Sequence, residues 1–228
     1  MDIGEPVDPS PARAPNDVVL RGRLVELARL RPEDAAELYA ASHGPGHEAL
    51  WTYLADGPFA DVEAFAEAMV LRVLSRDPFF FSIRDLASGS LVGSCAFLRI
   101  APEHRTIEIG HILFTPALQR KAGGAEAIYL LARHAFEDLC VRRLEWKCNS
   151  LNAPSRRAAL RYGFTFEGVF RQHMIVKGRN RDTAWFSMLD SEWTARRSAF
   201  EAWLAPSNFD KDGCQRVALS ELSSVASR

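Results

Sequence analysis

The loop Gln119-Arg120-Lys121-Ala122-Gly123-Gly124 is the stretch whose residue types and order most directly suggest chemistry. Glycine just before a helix lets backbone amides converge on an anion, and the positive end of the helix dipole strengthens the attraction. Arg120 and Lys121 bring side-chain charge to the same place. Such a loop suits a diphosphate. It has neither the GxGxxG of a dinucleotide fold nor the GxxxxGK[ST] of a nucleotide triphosphatase, so both chemistries are disfavoured. Glycine before a helix also arises from turn geometry alone, so the loop by itself is a weak signal. A second basic group, Arg171, Lys177, Arg179 and Arg181, could meet an acidic substrate or a phosphate; the plainer alternative is a solvated hairpin in which Arg179 or Arg181 pairs with Asp182. Trp51 and Tyr53 lie in a glycine-bearing loop and could wall an acceptor pocket, or the tryptophan could be core.

The elements that must position these residues follow from periodicity. Val18-Val19-Leu20 and Leu24 to Leu27 read as a strand or hairpin. Arg31-Pro32-Glu33-Asp34 opens a helix that runs to about Ser42, with proline and acids in its first turn. His43 to Pro58 is a loop, and Asp61 caps a helix carrying Phe65, Met69, Val70 and Val73. Strands are expected at Phe79 to Ile83, Leu91 to Ile100 and Thr106 to Phe114. The Gln119–Gly124 loop then leads into an amphipathic helix beginning near Gly124. Leu144, Trp146 and Cys148 alternate with Arg143, Glu145 and Lys147, which marks a strand with one covered face. Asn152 caps a short helix ended by Gly163. Val169 to Val176 and Thr183 to Leu189 form a hairpin, and a helix over Ser191 to Leu204 is stopped by Pro206. The β-loop-α-β unit in the middle is where a parallel crossover and a ligand site belong.

Composition narrows the setting. At 228 residues, 47% apolar and 25% charged, the chain reads as one domain over 18–205, with a flexible leader at 1–17 and a polar, frayed tail at 206–228. A net charge of −1 offers no broad basic surface for nucleic acid. Cys95, Cys140, Cys148 and Cys214 form no CxxC pair and no zinc spacing, so no metal is expected and the thiols read as reduced. No signal peptide and no membrane-length apolar run is visible, so no membrane association is expected and the cytoplasm is the expected compartment.

From Thr106 to Phe164 the chain resembles the GNAT superfamily of acyl-CoA-dependent N-acyltransferases. The strand ending at Thr115-Pro116 is similar to the family's fourth strand. The next loop resembles its [RQ]-x-x-G-x-[GA] signature, with Gln119 at the first position, Gly124 at the last and Ala122 where a glycine is usual. Asn152-x-x-Ser155, followed by Gly163-Phe164, looks like its fourth helix. Gly163-Phe164-Thr165-Phe166-Glu167-Gly168 and Gly178-Arg179-Asn180-Arg181-Asp182 resemble the RimJ/RimL-type subfamily.

The resemblance implies an α/β (α+β) GNAT fold, a mixed, twisted sheet flanked by helices and splayed between its fourth and fifth strands. Acetyl-CoA, or another acyl-CoA such as succinyl-CoA, would lie in that opening as co-substrate. Its pantetheine would pair with backbone near Leu113 and Phe114, and its diphosphate would meet amides within Gln119, Arg120, Lys121, Ala122, Gly123, Gly124 and Ala125. Asn152 would contact the arm. An amine, either a protein N-terminus or a small molecule, would attack the thioester directly, an amide next to Leu113 steadying the oxyanion. The tyrosine used by many members is replaced by Ala159; Ser155 takes the place of the acid used in RimJ/RimL-type enzymes, and Tyr162 is the alternative. For the base, Glu108, His111 and a water relay stay open. Strict alternation puts Glu108 and His111 on opposite faces, so only one of them would reach the cleft. Glu167 reads as structural, holding a turn. A homodimer is left open, as is a binding module of the same fold that holds acyl-CoA without turnover.

Overall fold

Alternating apolar and polar residues build one sheet with a hydrophobic layer on each face. The computed structural model describes residues 4–225. The strands are β1 (Leu20–Arg21), β2 (Val25–Arg29), β3 (Phe79–Asp85), β4 (Leu91–Ala101), β5 (Thr106–Phe114), β6 (Arg143–Asn149), β7 (Thr165–Val176) and β8 (Arg179–Leu189). The helices are α1 (Ala35–Ser42), α2 (Val62–Leu74), α3 (Ala122–Arg133), α4 (Ala153–Arg161), α5 (Asp190–Leu204) and α6 (Leu219–Val225). The sheet runs β1-β2-β3-β4-β5-β6-β8-β7. Every neighbouring pair is antiparallel except β5–β6, the crossover made through α3.

Phe79, Phe81 and Ile83 of β3 face a larger core with residues of α3 and α5, while Phe80 between them faces a smaller core with Leu38 of α1 and Phe65 and Met69 of α2. Leu144, Trp146 and Cys148 likewise enter the larger core, as their period of two requires. Local signals do their expected work. Asp61 Oδ1 accepts from the Ala64 amide at 2.8 Å and Asn152 Oδ1 from the Ser155 amide at 3.1 Å. Gly163, at φ 88°, takes the left-handed position that ends α4.

The β5–β6 ladder covers only Thr106–Ile109 against Arg143–Trp146. Beyond it, β5 continues alongside β4 to Phe114 and β6 alongside β8 to Asn149, so the sheet opens between them. Counting the two short N-terminal strands as one, this is the splay expected between strands four and five.

The two ends of the chain differ from the sequence expectation. In the 1–17 leader, Ala12 is buried and donates its amide to Pro102 O, and the Arg13 amide bonds Leu139 O. The tail after Pro206, described as far as residue 225, is anchored at particular residues. The Trp203 indole donates to Gln215, and Leu219 of α6 is fully buried in the larger core. The reason is Asn208, whose side chain bonds Trp203 O, Val217 O and the Val217 amide and so folds the segment back on α5.

Candidate functional site

The Gln119–Gly124 loop begins α3 earlier than the glycines suggest. The helix starts at Ala122, and Lys121 stands at its N-cap with extended backbone and no side-chain cap bond. The first-turn amides are therefore free of any side-chain plug and carry the positive end of the dipole. The left-handed residue is Arg120, at φ 59°. Gly123 and Gly124 have ordinary helical backbone and serve packing instead: a Cβ on Gly123 would lie 3.0 Å from Val25, and one on Gly124 3.2 Å from the Phe114 ring. Ala122 occupies a helical position that tolerates its methyl group. Arg120 and Lys121 are exposed, Ala125 is buried, and Gln119 Nε2 donates to Phe114 O at 2.9 Å, tying the loop to the end of β5. Behind the loop, the buried Glu126 carboxylate accepts three successive amides, from Arg23 at 2.9 Å, Leu24 at 2.6 Å and Val25 at 2.8 Å.

Strand β5 carries a bulge that overturns the expected separation of Glu108 and His111. Gly110 pairs with Ala96 and Leu113 with Ser94, so His111 and Ile112 together oppose Cys95, and His111 takes φ 48°. Ile107 and Ile109 face the larger core, which puts Glu108 on the opposite face. The extra residue breaks the alternation, and His111 lands on that same face, its ring 5.2 Å from Phe80 of the smaller core. Leu113 follows into the smaller core, and Phe114 packs against the larger one. Burial lowers the His111 pKa; the charge of Asp56 opposes this, while Arg72, Arg99 and Arg181 add to it. The imidazole is thus held neutral near pH 7, able to accept a proton. Glu108 is buried and already engaged: its Oε2 receives Arg99 at 2.6 Å and Lys147 at 3.1 Å. Lys147 also pairs with Glu145 at 2.6 Å and lies over the Trp185 ring, 3.7 Å from its centroid. Glu145 meets Arg143, which grips Glu167 with two bonds of 2.8 and 2.6 Å. Glu167 is structural, as expected, though within strand β7 and not in a turn.

On the other side of the opening, Ser155 Oγ accepts the Trp146 indole N–H at 3.0 Å, which leaves its own proton to donate. Its amide is taken by Asn152 Oδ1, so the asparagine uses its carbonyl as a cap and keeps its amide nitrogen. Tyr162, the alternative acid, is buried between Trp146 and Phe200, with centroids at 5.9 and 6.1 Å, and its burial raises its pKa. It is core and does not reach the cleft.

Trp51 corrects the pocket-wall reading. It is fully buried in the smaller core, donates to Ser42 O at 2.9 Å and stacks edge-on against Phe59 and Phe65. Tyr53 stays exposed at the rim, its hydroxyl bonding Leu151 O at 3.1 Å beside Asn152. The Arg–Asp182 pairing is overturned too: Asp182 accepts from the Gln172 amide and from Asn180, not from arginine. Residues that sequence reasoning missed are Arg99, Lys147, Trp146 and Glu126. Each contributes through contacts between separate elements, and the alternation around Trp146 placed Lys147 on the uncovered face, whereas its side chain is buried. Among the described residues no His/Cys/Asp/Glu group is arranged to hold a metal, and no helix is long and apolar enough to cross a membrane.

Residues 24–165 match the family model described as an acetyltransferase (GNAT) domain. The crystal structure of a GCN5-related N-acetyltransferase from Brucella melitensis superimposes with a TM-score of 0.93 at 45% identity, covering 94% of this chain and 98% of that one. The uncharacterized N-acetyltransferase YnaD of Bacillus subtilis is 29% identical over 142 residues, 62% of this chain and 81% of its own length. The ribosomal-protein-serine acetyltransferase of Escherichia coli is 35% identical over 103 residues, 45% of this chain and 57% of that enzyme.

Proposed function

The chain belongs to the GNAT acetyltransferase family, and from that premise we propose that it transfers an acetyl group from acetyl-CoA to a primary amine, a protein N-terminus in the first instance. The observation that carries this reading is the opening between β5 and β6. It has the uncapped start of α3 at one end, His111 on one wall and Ser155 on the other. The amides that open α3 at Ala122 and Gly123, with the exposed Arg120 and Lys121, suit the diphosphate of coenzyme A, and the part of β5 that has left β6 offers backbone to its pantetheine. The co-substrate supplies a thioester. The amine nitrogen bonds to the acyl carbon as the carbon–sulfur bond breaks; one proton leaves the nitrogen and one reaches the sulfur.

The chain's own groups divide that proton traffic. His111 Nε2 or Nδ1 takes the proton from the amine, because burial keeps the ring neutral. Ser155 Oγ donates to the departing thiolate, its developing charge steadied by the Trp146 N–H. Glu108, clasped by Arg99 and Lys147, shapes the wall and its field. Tyr53 borders the acceptor's entry. The protein N-terminal acceptor is favoured by the kinship with the Escherichia coli ribosomal-protein enzyme.

The test is release of free thiol from acetyl-CoA with a panel of short peptides beginning in Ser, Ala or Met, alongside small amines. Thiol release coupled to peptide acetylation by mass spectrometry supports the proposal. Calorimetric binding of acetyl-CoA with no thiol release across the panel would reassign the chain as a binding module.

A further inference from the structure

On the wall that carries His111, one half-buried cation has no counterion among the described residues. Along the face that carries His111, the charges run Glu167, Arg143, Glu145, Lys147, Glu108 and Arg99, each paired with its neighbour. Arg72 is paired with Asp56 at 2.6 Å. Arg181 of β8 is the exception: among the described residues it forms no ion pair. Its Nε is buried without a hydrogen-bond partner, while its terminal nitrogens keep contact with solvent. Further along the same face of β8, the Trp185 indole N–H is also buried with no acceptor.

Arg181 stands at the edge of the opening. The last β6–β8 pair is Asn149 with Thr183, so Arg181 lies past the end of β6 with no β6 residue beside it. Its charge is felt by Glu108 and His111 of β5 and by Cys148 of β6, three groups that border the splay. Half-burying a guanidinium without a partner is costly, and a group kept in that condition at a cleft is a candidate for ligand contact.

We propose that Arg181 anchors a carboxylate of the substrate, its planar fork gripping two oxygens at once, so that this chain selects a carboxylate-bearing reactant. The inference rests on the acyl-transfer reading above. The carboxylate has two possible sources, the acceptor (an α-amino acid, or an acidic side chain near a peptide's N-terminus) or the far end of a dicarboxylic acyl group such as succinyl.

Matched pairs of substrates separate these. The acceptor pairs are phenylalanine against phenethylamine, and Ser-Glu-Ala amide against Ser-Gln-Ala amide; the donor pair is succinyl-CoA against acetyl-CoA. The quantity read is the ratio of kcat/KM within each pair, so that a general loss of activity cancels. In the wild-type protein one pair should favour its carboxylate member by about tenfold to a hundredfold, as expected for a charged hydrogen-bonded contact. Arg181→Gln should bring that ratio to within about twofold of unity. Arg181→Lys, which keeps the charge without the fork, should fall between. The pair that responds identifies the source. No preference in any wild-type pair, or a preference that survives in Arg181→Gln, would overturn the anchor while leaving acyl transfer intact. A wild-type protein inert with every probe would instead overturn the acyl-transfer reading. Calorimetry with succinate then decides the subsite: binding lost in Arg181→Gln keeps it, and no binding to the wild type removes it.

Discussion

Replacing Glu126 is the most demanding test of how α3 is held behind the Gln119–Gly124 loop. Its carboxylate, 4% exposed, closes a nest formed by three consecutive amides at 2.9, 2.6 and 2.8 Å. A hydrogen bond to a charged partner contributes about 1.5–3 kcal/mol, and strict additivity would give roughly 4.5–9 kcal/mol for three. Arg23 is exposed and Leu24 half-buried, so water replaces part of the loss there, whereas the buried Val25 amide stays orphaned. Glu126→Ala should therefore destabilise by about 3–5 kcal/mol, a large share of the roughly 5–15 kcal/mol of a typical domain. Glu126→Gln keeps one acceptor oxygen and turns an NH2 group toward the third amide, for a loss of about 2 kcal/mol. Gly22→Ala is an independent probe, since its new methyl would stand 2.5 Å from the Glu126 carboxyl carbon and push it off the nest. Urea unfolding followed by far-ultraviolet circular dichroism, with unchanged slope, measures all three. A Glu126→Ala protein within about 1 kcal/mol of wild type would refute the reasoning.

Three further outcomes are expected. His111→Gln should lower kcat/KM by about 10²–10⁴-fold. Because burial lowers the His111 pKa, the acid limb of the wild-type pH profile should lie below the ordinary histidine value, full activity being kept above it and lost as pH falls through it; stopped-time thiol assays show whether that limb disappears in the variant. Ser155→Ala should lower kcat with acetyl-CoA affinity nearly intact by calorimetry, and unchanged turnover would remove Ser155 as the proton donor. It should also cost about 1–3 kcal/mol, because the Trp146 N–H loses its acceptor. Trp51→Ala should cost about 3–5 kcal/mol in urea unfolding, as for any large core side chain, and a loss below about 1 kcal/mol would contradict its buried placement.

Element order, caps and the β-loop-α-β unit were legible because they depend on short-range rules: Asp61 and Asn152 as caps, Gly163 as terminator, the alternation around Trp146. The relative placement of Glu108 and His111 was not, because one extra residue in β5 resets a parity that no local pattern announces. A similar irregularity lies between Phe170 and Met174 of β7, where Gln172 has φ 50°. Trp51 read as a possible pocket wall since loop residues are usually superficial; its indole N–H finds Ser42 O only once α1 and α2 have packed. The tail read as frayed because its composition is polar, yet Asn208 turns it and Leu219 supplies a buried anchor, with Phe209 and Leu222 packed beside it. Glu126 was opaque, and Arg181 stood out only as one of four basic residues suited to an acidic partner. Their meaning lies in what surrounds them, three amides in one case and no ion-paired carboxylate in the other.

Four residue pairs join β5 to β6. Mechanically the molecule is two leaves, one ending at β5 and the other starting at β6, stitched along a short seam and otherwise linked through the helices. A guest that lays an extended arm between the leaves does more than dock, since it lengthens the seam and lends its own strand to it. Occupancy should then raise resistance to heat and to proteases in step with affinity, by the logarithm of ligand concentration over dissociation constant. Such a protein would be stiffest when loaded and would slacken each time it lets its product go.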